Sequence, residues 1–221
     1  MHCAIANPIH IDTEATRIQH NNRRQPLIWH LNRNSPTVSL TFDDGPDEHV
    51  TPKILYVLKQ KNVLATFFLI GHMIVKHPHI VQQILADGHH IANHSWAHYR
   101  LDELSESQIK QQIQATTHAL SQLNVPQKPL FRPPGGRYNQ WVLNAVQHHH
   151  MTMVMWDVNA ADYRLKNGRY HSKKNIVQRV MSRTKPGSII LMHNSAQTVA
   201  VLPTIIDRIR NQGLAFTGIQ Q

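Results

Sequence analysis

The chain has 221 residues, room for one large domain or two small ones, with 41% apolar and 16% charged residues, an ordinary globular balance. Its formal net charge of +10 favours adhesion to polyanions, but the Lys and Arg residues are scattered, with short groups at Arg23-Arg24 and Lys173-Lys174. No nucleic-acid module, no apolar run long enough to span a membrane and no signal-peptide pattern over Met1–His10 is legible, and Cys3, the single cysteine, excludes an internal disulfide.

Residues 1–35 are polar and read as an N-terminal extension; residues 36–221 read as one domain. Thr37–Phe42 alternates and is β-rich, a strand ending at Asp43. Asp44-Gly45-Pro46 breaks it, and Thr51-Pro52 opens a helix to about Lys61, with Thr51 as cap and Pro52 at the first position. Ala65–Ile70 is a strand, Pro78–Ala86 a helix stopped by Asp87-Gly88, and His90–Asn93 a short strand. Ser105 to Leu123 is a long helix, and Pro129–Phe131 a strand stopped by Pro133-Pro134-Gly135-Gly136. Asn139–Gln147 is helical and Met151–Val158 a continuous strand. Helix Asn175–Arg183, strand Ser188–Met192, helix Leu202–Gln212 and strand Leu214–Ile219 complete the chain. Strand–helix alternation of this kind argues a parallel sheet covered by helices, a (β/α) barrel of about seven strands or an open doubly wound sheet.

Both architectures gather functional groups at the C-terminal ends of strands. Asp43 and Asp44, His94 and His98, Arg132, Asp157 to Asp162, and His193 all fall there. His94 and His98, four apart, would share one face of a helical turn, and with Asp44 would form a two-His, one-carboxylate set. That set suits Zn²⁺, and equally Fe²⁺, Co²⁺ or Ni²⁺. Asp43, re-aimed by the bend at Gly45-Pro46, is then free to take a proton from water, although Asp-Asp-Gly-Pro is also an ordinary turn. His193 fits a general acid, Asp162 its charge partner, and Arg132 a group orienting Asp43. Trp156 and Tyr163 fit walls for a sugar, or core packing. His148-His149-His150 reads as a surface run.

Together these segments resemble the polysaccharide deacetylases of carbohydrate esterase family four, which share the chitooligosaccharide-deacetylase homology domain. Thr41-Phe42-Asp43-Asp44-Gly45-Pro46, His94-Ser95-Trp96-Ala97-His98, Arg132-Pro133-Pro134-Gly135, Trp156 to Tyr163, and Leu191-Met192-His193 match its five motifs in order. The resemblance implies a distorted (β/α) barrel with a divalent metal, usually zinc, on Asp44, His94 and His98. It implies Asp43 as base, His193 as acid, Arg132 holding Asp43 and Asp162 tuning His193, with an oxyanion-binding N–H near Tyr138. The implied reaction removes acetyl from N-acetylglucosamine, with peptidoglycan favoured by the basic charge. Chitin, chitooligosaccharides, acetyl-xylan or a non-catalytic glycan-binding role are the alternatives. Such substrates place the protein in the envelope or outside the cell. Asn159 and Tyr163 depart from the motif's usual aspartate and tryptophan, which bears on Tyr138, Trp156 and Tyr163 as substrate contacts.

Overall fold

A computed structural model describes residues 27–126, 129–163 and 168–219. Among the described residues there are nine strands: β1 (Leu27–Ile28), β2 (Thr37–Asp43), β3 (Thr66–Leu69), β4 (His90–Asn93), β5 (Leu130–Phe131), β6 (Thr152–Val154), β7 (Val158–Asn159), β8 (Ile189–His193) and β9 (Ala215–Phe216). All ladders between them are parallel, in the order β1-β6-β5-β4-β3-β2-β8-β7, with β9 added to β2. The sheet curls into a distorted half-barrel, as the alternation of elements implied. The helices are α1 (Thr51–Gln60), α2 (Gly71–Lys76), α3 (Pro78–Ala86), α4 (Glu106–Gln122), α5 (Gln140–His148), α6 (Lys173–Met181) and α7 (Ala196–Asn211).

The central strand β2 shows why the sheet is buried. Its residues from Val38 to Asp43 are all buried, because helices cover one face and the barrel interior the other. Val38, Leu40, Phe42, Ile190 and Met192 pack with Ile54, Leu55, Leu58, Leu202 and Ile206 in the main core. Each such aliphatic side chain contributes about 1.5–3 kcal/mol by leaving water. A second cluster under α5 unites Ile109, Phe131, Val142, Val146 and Met153.

Several expectations are corrected. Met151–Val158 is two strands, because the chain crosses the seam of the half-barrel at Met155-Trp156-Asp157. The first piece pairs with β5 and β1, the second with β8 at the far edge. That split, together with β1, gives more strands than the seven expected. The seam is tied from both sides: Met155 N–H donates to Ile28 O at 2.8 Å and Leu31 N–H to Gly187 O at 2.7 Å. Residues 27–31 therefore belong to the sheet, upstream of the boundary read at residue 36, while residues 1–26 lie outside the described residues.

The helix expected from Leu202 begins at Ala196, because Ser195 caps it by accepting from Thr198 N–H, and Pro203 sits inside it. Thr51 is the first residue of α1 rather than its cap; its hydroxyl accepts from Asp47 N–H and donates to Asn194 Oδ1. The last strand shortens to Ala215–Phe216. The long helix keeps the start expected of it, with Ser105 and Gln108 forming a reciprocal capping box.

Candidate functional site

Register aligns the chemistry. Asp43 on β2 is the partner of His193 on β8, and Leu69, Asn93 and Phe131 share the next level on β3, β4 and β5. Asp43 and His193 end their strands, Asp44, His94 and Arg132 directly follow theirs, and His98 and Asp162 lie a few residues beyond β4 and β7, so all gather at the same mouth.

Asp44 breaks away from its strand by taking a left-handed backbone, φ 75°. Aspartate tolerates this conformation better than most residues. Consequently Asp43 points into the barrel while Asp44 turns to the mouth; the re-aiming occurs at Asp44 itself, before the Gly45-Pro46 turn. His94 and His98 reach Asp44 from a loop, not from the helical turn that their spacing suggested. Ser95 and His98 have φ of 65° and 56°. Asn93 Oδ1 accepts from Ser95 N–H, and Ser95 Oγ from His98 N–H, which shapes the loop.

Asp44 Oδ1 lies 3.1 Å from His98 Nε2 and 3.5 Å from His94 Nε2. One ligand atom from each of the three residues falls within 4.8 Å of the others, and they form the one such group among the described residues. Two observations show that the set fits a cation. Asp44 Oδ1 is buried with no hydrogen-bond partner. His94 Nδ1 lies 2.8 Å from Arg132 O, an acceptor, so Nδ1 carries a proton and Nε2 is the ring nitrogen turned to Asp44. Burial pushes the Asp44 carboxyl up, but the imidazoles of His94 and His98 pull it well below the usual carboxylate range. Asp44 in turn raises His98, against burial.

Asp43 is held from behind. Arg132 is fully buried and donates through Nη1 to Asp43 Oδ1 at 2.7 Å and to Thr41 Oγ1 at 2.8 Å. Its Nε and Nη2 donate to Val154 O and Met155 O, both at 3.0 Å, and its guanidinium lies 4.0 Å from the centre of the Phe68 ring. Burial lowers the guanidinium pKa and Asp43 opposes that shift. Asp43 Oδ2, the free oxygen, faces His94 Nε2 at 3.7 Å.

His193 lies across the barrel. Its Nδ1 is 2.7 Å from Asp162 Oδ1, and Asp162 Oδ2 accepts from His193 N–H at 2.8 Å and from the Thr198 hydroxyl. Burial by itself would lower the imidazole; Asp162, with Asp43 and Asp44 beyond it, raises it to about 9. Thr41 and Thr198 are supporting residues that sequence reasoning passed over. Thr41 was readable in principle, being two positions before Asp43 on the same strand face.

The expected substrate contacts divide. Tyr163 is 41% exposed with its ring edge-on to His193, centroids 5.4 Å apart. Trp156 is half-buried over Arg132 and beneath Gly136, where a Cβ would stand 2.5 Å from the indole. The Tyr138 side chain belongs to the core, while its backbone N–H donates to no protein group among the described residues. Asp157 faces away from this chemistry: it accepts from Arg33, Ser188 and Ile189 N–H at the seam. Asn159 folds back on Ala161 N–H, and residues 164–167 lie outside the described residues. His148 and His150 are exposed, as expected of a surface run.

Parallel strand ends that deliver an Asp-His-His cluster, an arginine-held carboxylate and an aspartate-held imidazole to one mouth define a class: a hydrolase of the α/β-barrel type with a metal-ligand set. Residues 30–154 match the polysaccharide deacetylase family model, and the chain belongs to that family. It is 32% identical over 199 residues to a peptidoglycan-N-acetylglucosamine deacetylase of Bacillus cereus, covering 88% of this chain and 92% of that protein. It is 33% identical over 185 residues, 83% of this chain, to the peptidoglycan-N-acetylglucosamine deacetylase PgdA of Listeria monocytogenes, but spans only 38% of that longer protein. A solved structure of a family pseudoenzyme from Bacillus anthracis superposes with a TM-score of 0.80 at 30% identity, over 87% of this chain and 67% of that one.

Proposed function

We propose that this chain is a metal-dependent de-N-acetylase that hydrolyses the acetamide of N-acetylglucosamine units, with peptidoglycan as the favoured glycan. The observation that carries this reading is the pairing of an arginine-held Asp43 with an aspartate-held His193 beside Asp44, His94 and His98. Asp44, His94 and His98 would hold a divalent cation, zinc as the family resemblance implies, which would supply Lewis acidity toward water and the amide carbonyl.

The protein's own groups supply the proton traffic. Asp43 Oδ2 takes a proton from the attacking water while Arg132 keeps Oδ1 occupied and the carboxylate aimed. Water oxygen joins the carbonyl carbon, and the Tyr138 backbone N–H, the donor that the family resemblance implies, meets the amide oxygen as charge develops there. His193, whose Nδ1 is fixed on Asp162, delivers a proton from Nε2 to the departing nitrogen. The C–N bond breaks, releasing acetate and the glucosamine amine. Tyr163, exposed beside His193, offers an aromatic edge to the sugar, with Trp156 behind it.

Peptidoglycan lies outside the cytoplasm, which places the activity in the envelope or beyond it, and the +10 charge suits an anionic wall. No helix among the described residues is long and apolar enough to cross a membrane. The pseudoenzyme neighbour motivates one second reading, a glycan-binding module without catalysis.

Acetate release from peptidoglycan, chitooligosaccharides and acetyl-xylan separates the two readings. Release that stops with chelator, and with Asp43→Asn while the metal stays bound, is the expected result. Sugar binding with no release from any of the three substrates selects the second reading.

A further inference from the structure

Asp102 is a buried carboxylate with no place in the chemistry above. It sits in the short 3-10 turn Leu101–Glu103, four residues after His98, and its side chain is 3% exposed. Both of its functional ends reach across to the loop that follows β5. The carboxylate Oδ2 accepts from Arg137 Nε at 3.0 Å, with Arg100 Nη2 at 3.5 Å on the same oxygen. The backbone carbonyl accepts from Asn139 Nδ2 at 3.1 Å. Asn139 is itself immobilised, since its Oδ1 caps α5 by accepting from Val142 N–H at 3.1 Å.

Arg137 and Asn139 flank Tyr138. One residue thus grips the chain immediately before and immediately after the peptide proposed above to meet the amide oxygen. Upstream, the same loop is held by its own turn, with Gly136 N–H donating to Pro133 O at 2.9 Å and Arg137 N–H to Pro134 O at 3.3 Å, and by Gly136 packed beneath Trp156. Asp102 adds the hold from outside the loop, on the two residues next to Tyr138.

We propose that Asp102 is a positioning residue for the deacetylation: it clamps Arg137 and Asn139 and thereby fixes the Tyr138 N–H where the amide oxygen develops charge. This inference rests on the deacetylase reading above. It also links that donor to the metal side of the site, because Asp102 and His98 share one loop. Displacing a donor of this kind costs rate rather than affinity, since the charge it meets exists only in the transition state.

The test uses Asp102→Ala, Asp102→Asn and Arg137→Ala in the full chain. Asp102→Ala should lower kcat about tenfold or more with KM and bound metal unchanged. Asp102→Asn, whose amide oxygen can still accept from Arg137, should recover most of that loss. Arg137→Ala should add little on top of Asp102→Ala, because both remove the same contact. Amide hydrogen exchange over residues 135–138, read by mass spectrometry, should rise in Asp102→Ala while exchange over 94–98 stays as in the wild type. Unchanged exchange over 135–138 overturns the clamp, and raised exchange with an unchanged kcat overturns its role in the reaction. If the wild type releases no acetate at all, the deacetylase reading fails, and the exchange experiment still decides the clamp.

Discussion

Replacing Asp162 by Asn removes the charge that keeps His193 protonated while preserving the size of the side chain. His193 is raised from 6.5 to about 9, and Asp162 is the nearest group raising it. Asp43 and Asp44 help from farther away, but a bound cation offsets the charge of Asp44, so Asp162 carries the effect in the metal-loaded enzyme. A shift of this size corresponds to about 3 kcal/mol between the two protonation states. Without it, burial pulls the imidazole back toward its ordinary value against the weaker pull of Asp43. At pH 8 a histidine with a pKa of about 9 is about 90% protonated, and one near 6.5 only about 3%. At pH 6 both are mostly protonated. The general acid proposed for His193 must carry its proton, so Asp162→Asn should cut kcat/KM about twentyfold more at pH 8 than at pH 6. Acetate release from a chitooligosaccharide, measured between those limits, reads this directly, with the basic limb of the profile moving to lower pH. Equal losses at both pH values would refute the reasoning, leaving Asp162 as a structural anchor for His193 N–H and Thr198.

Arg132→Met should be among the most destabilising substitutions in the chain: it leaves Asp43 charged and unpaired and strips donors from Val154 O and Met155 O. Removing one partner of a buried pair costs about 3–5 kcal/mol, visible as a lower urea midpoint. His89 is buried against Phe67 with its Nε2 unpartnered, and burial lowers its pKa to about 4. A histidine with a depressed folded pKa contributes stability that is present above its unfolded value and lost as pH falls toward the folded one. The urea midpoint of the wild type should therefore fall between pH 6.5 and 4, and His89→Leu should flatten that part of the dependence. Gly136→Ala should destabilise the loop above Trp156, because φ is 68° there and the new Cβ would collide with the indole; thermal unfolding reads it.

Much of the site was legible because parallel α/β folds convert sequence order into spatial convergence. Once Thr37–Phe42 and Ser188–Met192 read as strands, Asp43 and His193 had to end at the same mouth. The geometry of individual groups was less accessible. His94 and His98 look helical by spacing, yet side-chain hydrogen bonds from Asn93 and Ser95 build a loop instead. The break at Met155–Asp157 carries no glycine or proline, because what causes it is closure of the sheet, a tertiary event that local propensity does not record. The helix read from Leu202 starts earlier because its beginning is set by Ser195, a cap whose value depends on contact with Thr198. The grip of Asp102 on the Tyr138 loop joins residues thirty-five and thirty-seven positions apart, beyond the reach of any local pattern.

Arg132 touches both the carboxylate of Asp43 and the two carbonyls at the seam of the half-barrel. A chain whose seam has not closed lacks the anchors for that guanidinium, and its Asp43 stands without an aimed partner. Incompletely folded molecules should therefore release no acetate, gaining that capacity only as the last edge of the sheet docks. On the deacetylase reading, closure of the sheet and readiness of Asp43 are therefore a single event.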